Sequence, residues 1–198
     1  MNCETADCGL DRSWVVDDGT VLRIRPVRPE DITASLSFVR GLSFGARYFR
    51  FGRGDVQFGE AEVADLCCPD PCNHAGFIAL AHGPDGEKEI ATARYCIQSD
   101  GQSAEFAIVV GDAWQGRGVG RQLLEVLLDS ARLRGLGEML GDVLVTNRRM
   151  IGLAVCMGFE LVPGACAAVQ RVRRPLFPAS QAGKISLGEP SQPGLAAR

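Results

Sequence analysis

Ala104 to Leu124, AEFAIVVGDAWQGRGVGRQLL, holds the residues best placed to do chemistry in this 198-residue chain. Gly116, Gly118 and Gly120 stand at the mouth of a helical pattern, interleaved with Arg117, Val119 and Arg121 and preceded by Gln115. The first N–H groups of a helix lack internal partners, and the helix dipole makes that end attractive to anions. Absent Cβ atoms let a phosphate approach the backbone closely. Arg117 and Arg121 can add charge-assisted contacts. The chemistry expected is a pyrophosphate cradle, against the plainer possibility of a glycine-rich helix start with no ligand.

Spacing narrows the choice. A dinucleotide fingerprint needs a third glycine where Arg121 stands, and a Walker loop needs Gly-Lys-Ser/Thr after a longer gap. Neither is present. Positioning the loop requires a strand before it and a helix after it. Glu105, Ala107 and Val109 fall on one face of the expected strand, and Phe106, Ile108 and Val110 on the other. Leu123, Leu124, Leu127 and Leu128 carry the apolar stripe of the helix, which Gly135 and Gly137 stop.

The other elements follow from local signals. Val21 to Arg25 alternates as a strand. Pro29 opens a helix with Glu30 and Asp31 in its first turn and Ile32, Leu36 and Val39 as its buried stripe. Ser43 to Phe51 reads as a short aromatic helix, with a third near Glu60 to Leu66. Phe77–Ala81 and Glu89–Ile97 form a hairpin around Pro84-Asp85-Gly86, and a second turn at Ser99–Gln102 feeds the Glu105 strand. Met139–Val145 follows as a parallel partner of that strand. A helix from Arg148 to Met157 begins after Asn147, and strands near Glu160–Val162 and Ala167–Val172 complete the sheet. Residues 1–20 read as a leader on which Trp14 and Val15 can dock, 21–174 as the domain, and 175–198 as a disordered tail.

Composition excludes several classes. Hydrophobic residues make up 46% and charged residues 23%, as in ordinary globular domains. A net charge of −3 gives no general attraction to nucleic acid or anionic membrane. No apolar run approaches the roughly 20 residues of a membrane span, and MNCETADCGL lacks the basic-then-apolar pattern of a secretory signal. A cytoplasmic location is expected, with the eight cysteines reduced. Only Lys88 and Lys184 are lysines, which makes the chain a poor lysine substrate for itself.

Two segments invite a binding role and receive a plainer one. Phe44, Tyr48, Phe49, Phe51 and Phe58 are expected in the core, although they could also wall an acceptor site. Cys67, Cys68, Cys72 and His74 look metal-like, but adjacent cysteines chelate one ion poorly and no separated second pair follows. A turn with thiols is expected there, and no metal.

The pattern Gln115-x-x-Gly118-x-Gly120 resembles the acetyl-CoA loop of the Gcn5-related N-acetyltransferases (GNAT). The element order over Val21 to Arg174 is similar to that α/β (α+β) fold, a mixed central sheet of about six to seven strands with flanking helices. Leu22–Asp31, Arg47–Phe51 and Ala104–Val110 resemble the catalytic domain of bacterial Pat-type protein lysine acetyltransferases. In that group the domain is often fused to an acyl-CoA-synthetase-like or cyclic-nucleotide-binding domain, for which this chain has no room.

The resemblance implies acetyl-CoA as cosubstrate and a protein lysine, or a small amine, as acceptor, or else a non-catalytic acyl-CoA sensor. It places the pantetheine arm and thioester carbonyl along the backbone at Val109 and Val110. Gln115, Gly116, Arg117, Gly118, Val119, Gly120 and Arg121 line the pyrophosphate, and Asn147 reaches the cofactor from the next helix, unless it serves as that helix's N-cap. Glu105 becomes the general base: a lysine amine, with a reference pKa of about 10.4, attacks only once deprotonated. Many relatives protonate the departing thiolate with a tyrosine where this chain has Ala154. Neither Tyr48 nor Tyr95 occupies that position, and Cys156 on the same helix is expected to pack.

Overall fold

The computed structural model describes residues 9–55, 58–68, 70–84 and 86–177. Eight strands form one sheet: β1 (Arg12–Val15), β2 (Val21–Pro26), β3 (His74–Gly83), β4 (Gly86–Ile97), β5 (Ser103–Val110), β6 (Glu138–Leu144), β7 (Glu160–Pro163) and β8 (Val169–Pro175). Their spatial order is β1-β2-β3-β4-β5-β6-β8-β7. Among the described residues only β5 and β6 run parallel, joined by the helix between them, as expected of a crossover connection.

One strand more than expected is present. β1 pairs antiparallel with β2, so a sheet edge begins where the sequence suggests a loose leader. It has four residues, and Val15 is exposed while Trp14 packs against the core. At the other end β8 runs to Pro175. Leu176 donates its N–H to Gly137 O at 2.9 Å and is buried, so the chain stays docked past the boundary expected for the tail. Residues 1–8 and 178–198 lie outside the described residues.

Helices cover both faces. On one face, α4 (Val119–Leu133) lays Leu123, Leu124, Leu127 and Leu128 against Leu22, Phe77, Ala93, Tyr95 and Phe106, and α5 (Arg148–Cys156) adds Ala154. On the other lie α1 (Ile32–Gly41), α2 (Phe44–Phe51) and α3 (Glu60–Cys67). Their smaller core joins Val39, Leu42 and Ala46 to Val109. The stripe of α1 differs slightly from expectation: Ser35 and Val39 are buried, while Ile32 and Leu36 are half-buried. Ser43 caps α2 by accepting from Ala46 N at 3.2 Å, and Gly52, at φ 73°, ends it.

The aromatic band departs from its expected core role. Phe44, Tyr48 and Phe49 are exposed, with Phe44 and Tyr48 stacked at 6.5 Å between ring centroids. Only Phe51 and Phe58, 4.5 Å apart, pack against the smaller core. Among the described residues no group of three or more His, Cys, Asp or Glu side chains is arranged to hold a metal ion. Cys67 is buried at the end of α3, and Cys68 and Cys72 are exposed. Nor, among the described residues, is any helix long and apolar enough to cross a membrane.

The feature that shapes the site is a parting of strands. β5 and β6 pair only at Ser103–Glu138, Ala104–Met139 and Glu105–Leu140, and diverge beyond that point. Phe106 sits where they part. Its ring covers Gly141, the next residue of β6, and meets Phe159 edge-on at 5.5 Å. A Cβ on Gly141 would lie 2.5 Å from that ring. Gly141→Ala is therefore expected to destabilise the protein by about 1–3 kcal/mol, seen as an earlier midpoint in urea denaturation. An unchanged midpoint would mean that the ring moves aside freely.

Candidate active site

The gap between β5 and β6 is lined by backbone. Gly111 N donates to Ile90 O at 2.9 Å, so alternation along β5 turns the N–H and C=O of Val109 toward β4 and those of Ile108 and Val110 into the gap. The carbonyl of Val110 confirms that direction, since it accepts from Gln115 Nε2 at 3.2 Å. Of the two valines singled out in the sequence, Val110 is the one whose peptide groups face the opening.

Past Val110 the chain makes a short 3-10 turn over Asp112–Trp114 and enters the glycine loop. Gly116 and Gly118 have φ of 78° and 83°, a left-handed backbone that residues with a Cβ avoid. Gly118 is the N-cap of α4, and Val119 behind it is buried. Gly120 passes between Leu153 and Val110, where an added Cβ would find only ordinary contacts. Around Gly116 and Gly118 such an atom would meet open space. The loop thus presents bare backbone, at the positive end of a 15-residue helix, beside the mouth of the gap. That arrangement fits a pyrophosphate with a long arm running inward.

Most polar side chains of the loop are held by partners distant in sequence. Gln115 Oε1 accepts from Arg149 Nη1 at 3.2 Å, so Gln115 links the end of β5 to the start of α5. Arg117 pairs with Asp18 and lies 5.0 Å over Trp114, while Arg121 pairs with Glu125 one turn along α4 at 3.0 Å. Hydrogen bonds from Thr20, and then from Arg117, hold the Asp18 carboxyl down at about 2. Asp112 accepts from the hydroxyl of Ser43 at 2.9 Å, tying the start of α2 to the loop. Arg121 and Glu125 form an ordinary i,i+4 helical pair, but Arg117–Asp18, Gln115–Arg149 and Ser43–Asp112 have no local sequence signal, because each joins residues far apart in the chain.

Asn147 takes the capping role: its Oδ1 accepts from Met150 N at 3.2 Å. This leaves its amide N–H groups able to donate. Ala154 is fully buried against the core, so its position on α5 offers no proton donor. Cys156, expected to pack, is instead exposed and lines an open surface cleft of about 540 Å³ with Arg121 and Glu125.

Glu105 is half-buried on the face of α1 and α2, opposite Cys96, and Phe106 points to the other side. Neighbouring carboxylates of that face are engaged. Glu138 accepts from Arg173 at 2.6 Å, and Asp142 takes both prongs of Arg171 at 2.7 Å. Glu105 has no hydrogen bond or ion pair among the described residues. Arg171, bonded to Asp142, adds the nearby positive charge that Glu105 feels, without a hydrogen bond between them.

A mixed sheet parted at its only parallel pair, with a glycine loop opening the crossover helix, is the architecture of an acyl-CoA-dependent transferase. The profile of the Acetyltransferase (GNAT) family matches residues 50–159, and the chain belongs to that family. It is 34% identical over 122 residues to an acetyltransferase of Pseudomonas aeruginosa, a match covering 60% of this chain and 64% of that protein, just under two thirds of its length. The GNAT domain of S. lividans PAT superimposes with a TM-score of 0.76 at 29% identity, over 85% of this chain and 98% of that one. A putative acetyltransferase from Salmonella typhimurium, solved with its cofactor acetyl-CoA, shares the fold at a TM-score of 0.64 and 19% identity, over 79% and 94% of the two chains.

Proposed function

We propose that this protein transfers the acetyl group of acetyl-CoA to an amine, a protein lysine side chain, by direct attack within a ternary complex. The observation that carries the reading is Glu105, without a hydrogen bond or ion pair among the described residues, at the root of a gap whose other end opens on the Gly116–Gly120 loop. Likeness to the GNAT domain of S. lividans PAT supports lysine over a small amine as acceptor.

Each residue then has a task. The loop backbone from Gly116 to Gly120, with Gln115, Arg117 and Arg121, binds the pyrophosphate; Arg117 and Arg121 exchange Asp18 and Glu125 for phosphate oxygens. The amide of Asn147 donates from the far side. Val110 N–H, directed into the gap, donates to the thioester oxygen as negative charge develops on it. Glu105, directly or through one water, takes the proton from the lysine ammonium, and the freed lone pair attacks the carbonyl carbon. The new C–N bond forms, the C–S bond breaks, CoA departs as a thiolate, and the second proton, still on the nitrogen after attack, passes through water to that thiolate. With an alanine buried at position 154, that position of α5 supplies no proton to the thiolate as it leaves. Its reference pKa near 8.5 allows departure without an acid.

Acetyl-CoA or CoA at a hundred times its dissociation constant should stabilise the fold by about 2.7 kcal/mol, visible as a raised Tm, while NAD and ATP have no effect. Stabilisation by none of them would remove the cofactor assignment and leave the loop a helix start. Stabilisation by CoA without turnover of any amine would favour the sensor reading.

A further inference from the structure

Two arginines on the Glu105 face have no carboxylate to answer them. Arg94 lies on β4 opposite Ala107, and Ala107 is two residues along β5 from Glu105. Arg94 and Glu105 are therefore diagonal cross-strand neighbours on one face, about 7–8 Å apart at the backbone. Arg50 belongs to α2, one turn beyond Ala46, whose side chain is buried against Val39, Leu42 and Val109. The helical period brings Arg50 down on the same side. Both arginines line one cleft with Phe51, Thr92 and Ala107.

Neither guanidinium makes an ion pair or hydrogen bond among the described residues. The Arg50 guanidinium lies over the ring of its own neighbour, its carbon 4.9 Å from the Phe51 ring centre. The other strand arginines on this face are matched: Arg23 to Asp11, Arg25 to Asp31, Arg171 to Asp142 and Arg173 to Glu138. Burial, with repulsion from Arg94, lowers Arg50 to about 10. Two like charges gathered without a counterion work against folding, and in a chain of net charge −3 carboxylates are not scarce. The pyrophosphate cradle cannot supply the missing anion, because α4 covers the opposite face of the sheet.

Resting on the reading of a lysine acceptor, we propose that Arg50 and Arg94 form a carboxylate subsite that selects lysines with an aspartate or glutamate two residues away. Spacing fixes the offset. In an extended peptide, residues i and i+2 point the same way and stand about 7 Å apart, matching the offset from Glu105 to Arg94. The lysine amine meets Glu105 while the acidic side chain meets the two guanidiniums. Charge-assisted bonds of that kind are strong in a half-buried cleft.

The test compares two peptides that differ only in Glu or Gln two residues from the lysine, acetylated by the full-length protein. The Glu peptide should have the higher kcat/KM, by about tenfold or more and mainly through KM, and the ratio should shrink as salt is added. Arg50→Gln and Arg94→Gln should each bring the ratio toward one. Arg94→Glu should turn the preference toward a peptide with Arg at that position, a gain that misfolding cannot produce. A ratio of one in the wild type, or one that persists in both glutamine variants, overturns the subsite. If no lysine peptide is turned over but a small amine is, the lysine reading fails separately. The subsite is then read from ornithine against its matching diamine, and equal turnover of the two overturns it.

Discussion

Glu105→Gln is expected to lower turnover by about a hundredfold to ten-thousandfold, or roughly 3–5 kcal/mol of transition-state stabilisation, with acetyl-CoA affinity unchanged. Glutamine keeps the size and polarity of the side chain and removes only its ability to take a proton. Because Glu105 has no hydrogen bond or ion pair among the described residues, its replacement strands no partner and the fold should keep its Tm. The split between binding and turnover discriminates among roles. A residue that merely shaped the gap would change affinity and rate together. The rate lost at neutral pH should return in part at high pH, where lysine is deprotonated without help. Unchanged turnover would remove Glu105 from the mechanism, and a loss of Tm matching the loss of rate would make its role structural.

The strand, loop and helix around Glu105 were legible because their signals are local. Alternation sorted Glu105, Ala107 and Val109 from Phe106, Ile108 and Val110, and the structure keeps those two faces apart. Leu123 to Leu128 announced the buried side of α4, and Asn147 announced a cap. What the sequence hid is long-range. β1 has too few apolar residues to show a pattern, and its pairing with β2 is what makes it a strand. The aromatic helix looked like core by composition, yet Phe44, Tyr48 and Phe49 face outward because Ala46 is the α2 residue that seats against the sheet. Cys156 is exposed for a similar reason: an apolar helix turns one side to solvent. No spacing rule relates Arg50 to Arg94, or Asp18 to Arg117, across the distances that separate them in the chain. Local chemistry was readable, and its electrostatic surroundings were not.

Those surroundings include a buried acid whose effect is large and independent of catalysis. Glu89, on β4, is 3% exposed; its Oε2 accepts from Ser35 Oγ at 2.6 Å, and its Oε1 is buried with no hydrogen-bond partner. Burial is the main force raising its pKa, from 4.5 to about 7, with the charge of Asp31 adding to it and the Ser35 bond and Arg25 opposing. Asp31, close by, behaves oppositely. Burial pushes it up, but two 2.7 Å bonds from Arg25 and the Arg28 N–H outweigh that and hold it below the usual range. For Glu89 the folded value lies above the unfolded one. Below pH 4.5 both states keep the proton, and its contribution to stability is complete. As pH rises toward 7 the unfolded chain ionises first and stability falls; above 7 the loss is complete. Unfolding free energy measured in urea should therefore drop by about 3 kcal/mol between pH 4.5 and 8 on account of this group. Glu89→Gln, which cannot ionise, should remove that part of the slope and leave the variant the more stable protein at pH 8. Parallel stability curves for the two proteins across that range would show that Glu89 stays ionised inside the fold, with a counterion or water reaching Oε1. A flattened curve would mean that α1, α3 and the sheet are held together around a neutral acid.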